Sequence, residues 1–295
     1  MNAAVSLHVE TDGIAILNWD DRNAKVNVFD PASIDGFLSC VRTIASDESI
    51  RGVMITSGKK TFHAGADLKM VSGFFDMSAE GLWNIMSEIM HGFYTLETCG
   101  KPVAAVINGH CLGGGFELAL AAHARFVADD PDIRIGLPES KLGLMPGFGG
   151  TQRFTRLAPW EKAVPLVVEG ATFDPETALS LGFANAVAPQ EKLEQEARDW
   201  LCNNSDAKQP WHVKEYTAPG TTREFEYYFH KVSAELAGGG SAQYPWKPLI
   251  AEAIYHGLQI PIEPALRLEI RRFIEMIRSP ASMNTFHANV LQKTK

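Results

Sequence analysis

The chain has 295 residues, 45% of them hydrophobic and 21% charged, a composition that excludes a disordered or collagen-like polypeptide. With 35 acidic against 27 basic residues its formal net charge is -8, and no run of five or more basic residues could track a phosphate backbone, so nucleic acid is not an expected ligand. At this length the chain can bury one large domain, or one domain with an appendage, and the second is expected.

The first residues, Met1 to Val5, lack a basic cluster followed by an apolar core, so no signal peptide is expected. Residues Leu7 to Trp19 alternate around Thr11-Asp12-Gly13, the pattern of a β-hairpin. From Pro31 the apolar residues Ile34, Phe37, Leu38, Val41 and Ile44 have helical spacing, and Gly52 to Thr56 reads as a short buried strand. A second such unit follows. Leu82, Ile85, Met86, Ile89, Phe93 and Leu96 line one helix face, Val103 to Ile107 form a strand, and another helix opens after Gly115, which implies parallel strands joined by crossover helices. The apolar stretch from Pro102 to Ala128 carries Asn108, His110, Glu117, His123 and Arg125, so it reads as buried core and no membrane span is expected.

After about Glu191 strand signals fade, and Leu266, Ile270, Phe273 and Ile277 mark a helix. A boundary near residue 190 is therefore expected, with a domain over 1–190 and a helical region over 191–295. Breaks are expected near Gln209-Pro210-Trp211, at Ala237 to Ser241, and at Tyr244-Pro245-Trp246-Lys247-Pro248, where two prolines argue against regular helix. The cysteines, Cys40, Cys99, Cys111 and Cys202, form no C-x-x-C pair, which points away from zinc sites and disulfides and towards a reducing, cytoplasmic setting.

Dinucleotide, P-loop, serine-hydrolase and zincin signatures are all absent. Three segments stand out instead. Phe62-His63-Ala64-Gly65-Ala66-Asp67-Leu68 follows a strand with small residues, and is either a tight turn or a backbone that a ligand can approach closely. Asn108 to Glu117 joins a strand end to a helix start through three glycines, Gly113, Gly114 and Gly115. Free amides at that helix start would suit a developing anion, although close packing alone could also require the glycines. Gly136-Leu137-Pro138-Glu139 and the glycine-rich run Gly143 to Thr151 form the third. Glu117 and Glu139 both sit among apolar residues. If they faced one pocket, desolvation and mutual repulsion would give the protonated and ionised pair that acid–base chemistry needs. His63, His110 and His123 lie near these segments without a nucleophile partner, and read as hydrogen-bonded core or rim residues.

These segments, in this order, resemble the crotonase (enoyl-CoA hydratase/isomerase) superfamily, from the Asn23-Ala24-Lys25-Val26-Asn27 loop to about Pro189. The run from Ile135 to Gly150 more specifically resembles the amino-terminal part of multifunctional fatty acid oxidation enzymes of the bacterial α subunit type. The resemblance implies an α/β, crotonase-like spiral of strand-strand-helix units with a helical carboxyl-terminal region. It places Glu117 and Glu139 at the two catalytic carboxylate positions and the amides of Ala66 and Gly114 in an oxyanion hole. Coenzyme A contacts map to Lys25, Val26, Ala64, Asp67 and Leu68. The implied reaction is hydration of trans-2-enoyl-CoA in fatty acid β-oxidation, with Δ3,Δ2-enoyl-CoA isomerase activity as a second function. No metal or prosthetic group is implied, coenzyme A being part of the substrate. Rival readings are a predominantly isomerase enzyme and a non-catalytic docking module of a larger complex. Implied partners are the acyl-CoA thioester and a thiolase subunit, with self-association open. The sequence stops at Lys295 without a dinucleotide fingerprint, and a piece of a longer protein is the expectation.

Two departures from the family pattern are visible. His123 stands six residues after Glu117 where Asp is common, and Asp129-Asp130-Pro131-Asp132 stretches the Glu117 to Glu139 interval to 22 residues.

Overall fold

The structure is a computed structural model that describes residues 4–238 and 244–291. The expected glycine break at Ala237 to Ser241 lies outside the described residues from Gly239 onward.

By packing, the chain divides into two compact units, each assembled from several stretches of sequence rather than separated by one cut near residue 190. The first comprises Met1–Asp67, His91–Gly136 and Phe173–Gln209, and the second Leu68–Met90, Leu137–Thr172 and Pro210–Lys295.

The first unit is built on a six-stranded sheet. Strands β1 (Val5–Val9) and β2 (Ile14–Trp19) form the expected antiparallel hairpin, turned at Gly13 with φ +84° and Asp12 Oδ1 accepting from the Ile14 amide at 3.0 Å. Helix α1 (Pro31–Ser46) carries β2 over to β3 (Gly52–Ser57), its parallel neighbour. The helix starts where it does because Asp30 accepts from the Ser33 amide at 2.7 Å while Ser33 Oγ accepts from the Asp30 amide at 2.9 Å, which satisfies donors that the first turn leaves open. Helices α2 (Leu68–Phe74) and α3 (Ala79–Thr98) lead to β4 (Val103–Ile107). Next come β5 (Cys111–Leu112), α4 (Gly114–Ala121), β6 (Ala124–Ala128) and β7 (Ile135–Gly136). Beyond α5 (Gly150–Leu157) and α6 (Trp160–Val168) lie β8 (Thr172–Phe173), α7 (Pro175–Ser180) and β9 (Ala186–Ala188). The sheet order is β1-β2-β3-β4-β6-β9, and every pair after the hairpin is parallel. All residues of β4 and β6 are buried, as expected of parallel strands covered on both faces. The α8 helix (Leu193–Asn203) packs on β3, β4 and β6 through Leu193, Ala197 and Leu201.

The second unit is helical. Helices α9 (Arg223–Gly238), α10 (Trp246–Gly257), α11 (Ile262–Ile277) and α12 (Pro280–Leu291) belong to it with α2, α5 and α6. Both α10 and α11 pack on α5. The expectation of no regular helix at Tyr244 to Pro248 is corrected. Helix α10 begins at Trp246, with Pro245 as its cap and Pro248 in its first turn, where the missing amide would have had no intrahelical partner.

Candidate active site

In the first unit, the functional segments lie beyond the carboxyl ends of β3 and β4. That is where open parallel sheets usually present ligands. The 62–67 stretch is held on both sides. The Leu112 amide donates to the His63 carbonyl at 3.0 Å and the His63 amide to His110 at 3.1 Å, while the Ala64 amide reaches Asn27 at 2.9 Å and Asp67 reaches Phe29 at 2.9 Å. That ladder passes over the Ala66 amide, which has no backbone acceptor among the described residues. Across from it, Gly113 with φ +54° turns the chain into α4, and the Gly114 amide likewise has no backbone acceptor among the described residues. Gly65, at φ +95°, lets the two backbones come together: a Cβ built there would lie 3.1 Å from the Leu112 carbonyl oxygen and 3.4 Å from the Gly114 nitrogen. Two donors at adjoining backbones, one at the positive end of a helix, suit a developing oxyanion.

His63 supports this arrangement. It is buried against Trp19 and Phe29, its Nδ1 accepts from the Gly65 amide at 3.1 Å, and burial pushes its pKa down to about 3, so the ring is neutral. A Cβ on Gly115 would stand 2.5 Å from the His63 Cβ, which explains that glycine by packing. Glu117, in the first turn of α4, is 2% exposed. The other end of α4 is capped by Arg125, whose Nη1 donates to the Ala122 carbonyl at 2.6 Å, and by Gln209, whose Nε2 donates to Leu120 at 3.0 Å and Ala122 at 2.8 Å.

Asn27 was quoted in the sequence only as part of a motif, yet it is fully buried and fixes the loop that carries Lys25 and Val26. Its Nδ2 donates to the Trp19 carbonyl at 3.0 Å, Ser57 Oγ at 2.9 Å and the Phe62 carbonyl at 3.3 Å. Lys25, Ala64 and Leu68 are exposed, while Val26, Ala66 and Asp67 are half-buried. His110 is exposed and accepts from the Arg134 amide at 2.9 Å.

In the second unit Glu139 sits in a 3-10 turn, Pro138–Leu142, closed by Gly143 at φ +81°. Ser140 anchors the turn, donating to the Val168 carbonyl at 2.6 Å and accepting from Trp246 Nε1 at 3.2 Å. Glu139 is half-buried as a residue, but its Oε2 is fully buried and has no hydrogen-bond partner among the described residues. Burial pushes its pKa up to about 8 against the hydrogen bond from its own backbone amide, and repulsion from Glu269 adds a smaller upward push. Glu269, on α11, was not singled out in the sequence. It is fully buried, accepting from the amides of Gly149 at 2.6 Å and Thr151 at 2.8 Å and from Thr151 Oγ1. The signal for it was present: Glu269 falls three residues after Leu266 and four before Phe273, on the buried stripe of its helix.

A family profile described as enoyl-CoA hydratase/isomerase matches residues 10–219. The chain belongs to the enoyl-CoA hydratase/isomerase family. Among curated relatives of this family member, a protein of Shewanella baltica named fatty acid oxidation complex subunit alpha is 34% identical over 288 residues, 96% of this chain and 40% of that protein. One of the same name from Acinetobacter baylyi is 30% identical over 94% of this chain and 39% of its own length. The chain thus spans about 40% of the length of these relatives. Among solved structures, enoyl-CoA hydratase from Bacillus halodurans has a TM-score of 0.71 at 20% identity, covering 97% of this chain and 99% of that one. Human mitochondrial delta3-delta2-enoyl-CoA isomerase also scores 0.71, at 19% identity over 99% and 98% of the two chains. The fold is crotonase-like.

Both departures from the family pattern have local answers. His123 Nδ1 accepts from the Val103 amide at 3.0 Å, and its Nε2 lies 3.1 Å from the Glu97 carbonyl oxygen, so a structural link is made by imidazole where carboxylate is common. The lengthened interval is an exposed turn in which Asp130 Oδ1 accepts from the Asp132 amide at 2.9 Å. Among the described residues no helix is long and apolar enough to cross a membrane, and no group of three or more His, Cys, Asp or Glu side chains is placed to hold a metal ion.

Proposed function

We propose that this chain hydrates trans-2-enoyl-CoA to 3-hydroxyacyl-CoA, with Δ3,Δ2-enoyl-CoA isomerase activity as a second function, and that it does so without a metal or prosthetic group. The observation that carries the reading is Glu139, a carboxyl group that stays protonated near neutral pH because it is buried, with an oxygen that has no hydrogen-bond partner among the described residues. Such a group is ready to give a proton.

In this reading the thioester oxygen accepts from the Ala66 and Gly114 amides, which stabilise the negative charge that gathers there as the β-carbon is attacked. Glu139 gives its proton to the α-carbon. Glu117, with Glu139, holds the water and takes its proton as the oxygen bonds to the β-carbon, so the pair regains the proton that Glu139 gave. Lys25, Val26, Ala64, Asp67 and Leu68 hold the coenzyme A portion. The names of the relatives support a place in fatty acid oxidation within a complex, for which a thiolase-type subunit is the proposed partner and the cytoplasm the proposed compartment. Co-purification with that subunit tests the partner.

The enzymatic test is the loss of enoyl thioester absorbance with crotonyl-CoA and a longer enoyl-CoA. Turnover by wild type and a drop of at least about a hundredfold in Glu139→Gln are expected. Absence of turnover with both substrates, despite measurable thioester binding, would sink the hydratase reading. The family description covers isomerases as well, and Glu117→Gln separates the two: hydration should collapse while isomerisation persists in part.

A further inference from the structure

In the second unit the negative charge of Glu269 opposes ionisation of Glu139, and only Glu139 belongs to the proposed chemistry. Their surroundings differ in kind. Both oxygens of Glu269 face donors: Oε1 receives the Gly149 amide, and Oε2 receives the amide and hydroxyl of Thr151. Burial pushes its pKa up to about 7, and these hydrogen bonds, with the positive charge of Arg153, hold it below the value of about 8 that Glu139 reaches. A proton placed on Glu269 would point into a set of donors. Glu139 has the opposite environment, since its buried Oε2 receives no hydrogen bond among the described residues. The one donor that favours charge on Glu139 is its own backbone amide. Burial disfavours charge on both residues, so a proton shared by the pair goes where fewer donors oppose it.

The same contacts fix the chain that follows Glu139. Glu269 bonds the first turn of α5, a Cβ on Gly147 would meet Phe273 of α11 at 2.9 Å, and one on Gly149 would meet Leu266 at 2.8 Å. On the exposed side of α11, Arg272 pairs with Glu252 of α10 at 3.2 Å, so that cation is engaged elsewhere.

We propose that Glu269 is a positioning residue for Glu139: an ionised carboxylate, locked to the first turn of α5, whose charge keeps the proton on Glu139. This rests on the reading of Glu139 as the proton donor. It adds a third carboxylate that touches no reacting atom but sets the protonation of one that does.

The test uses the full chain and two readouts. Infrared titration follows the protonated carboxyl band, assigned to Glu139 by its loss in Glu139→Gln, and the pH profile of kcat/KM is measured with crotonyl-CoA. In Glu269→Gln the band and the alkaline limb of the profile should both move to lower pH, by about one pH unit, because the like charge is gone while burial remains. Thr151→Val, which keeps the amide and removes the hydroxyl donor, should shift both in the same direction by less, and it carries the test if Glu269→Gln fails to fold. A purely structural Glu269 would lower melting temperature and activity without moving the titration, and an unmoved titration in folded variants overturns the proposal. If instead the band shifts but no variant, nor wild type, turns over crotonyl-CoA, the role of Glu269 stands and the hydratase reading falls.

Discussion

Glu139 is costly to ionise inside the fold, and that cost is measurable apart from any activity. In the unfolded chain the group ionises at its ordinary value of 4.5, whereas in the folded protein it holds its proton up to about 8. A raised folded value means that the native state binds the proton more tightly. Its contribution is therefore fully present below pH 4.5 and is lost as pH rises towards 8. Glu139→Gln has nothing to ionise, so the variant should gain stability over wild type across that window, reaching a few kcal/mol at most near pH 8 and vanishing near pH 4. Urea titrations of both proteins at several pH values check this, and a gap that does not change with pH would refute it. At this scale the sequence was informative where a charged residue stood in apolar surroundings. Glu117 and Glu139 were found that way. Glu269 was missed because the stripe Leu266, Ile270, Phe273 and Ile277 was read for its apolar members alone, and a carboxylate in the same stripe has meaning only once its donors at Gly149 and Thr151 are known.

Among secondary-structure elements, those with clear periodicity were legible: the hairpin, α1, β3, α3, β4 and α11 lie where alternation or helical spacing puts them. The 3-10 turn that carries Glu139 was not, since five residues hold too little periodicity and the turn depends on Ser140 bonding the Val168 carbonyl, 28 positions away. Nor could spacing separate the two explanations of the glycine cluster before α4. Within the cluster, Gly115 is required by packing, because His63 fills the space beside it, while Gly65, in the facing segment, allows the 62–67 backbone to approach the helix start. A methyl group at Gly115 would force His63 or α4 to move. Gly115→Ala should therefore destabilise the protein by about 1–3 kcal/mol, and under the proposed mechanism lower kcat more than it raises KM, because it displaces the amides proposed to meet the developing oxyanion. Thermal melts with steady-state kinetics test both parts. A variant of unchanged stability would show that the cluster yields more easily than a close-packed interior should.

For the molecule as a whole, the fading of strand signals near residue 190 describes secondary structure faithfully, since β9 ends at Ala188 and the elements that follow are helical among the described residues. It does not describe packing, because periodicity reports which face of an element is buried and not which element buries it. Within the first unit, α8 covers β3, β4 and β6 with Leu193, Ala197 and Leu201, and Gln209 caps the carbonyls that end α4. Within the second, α10 and α11 cover α5, Arg156 Nη2 donates to the Gly257 carbonyl at 2.7 Å, and Glu269 holds the α5 amides. A chain cut after residue 190 loses support in each unit separately. Exposing the partners of three buried side chains of α8 alone costs several kcal/mol at about 1.5–3 kcal/mol for a large aliphatic side chain, comparable with the whole stability of an ordinary domain. We therefore expect residues 1–190, expressed alone, to lack a cooperative urea transition and a near-ultraviolet circular dichroism signal, and the full chain to show both. A sharp transition in the fragment, with a denaturant slope scaled to its length, would instead show that the strand-rich part folds without the helices after it.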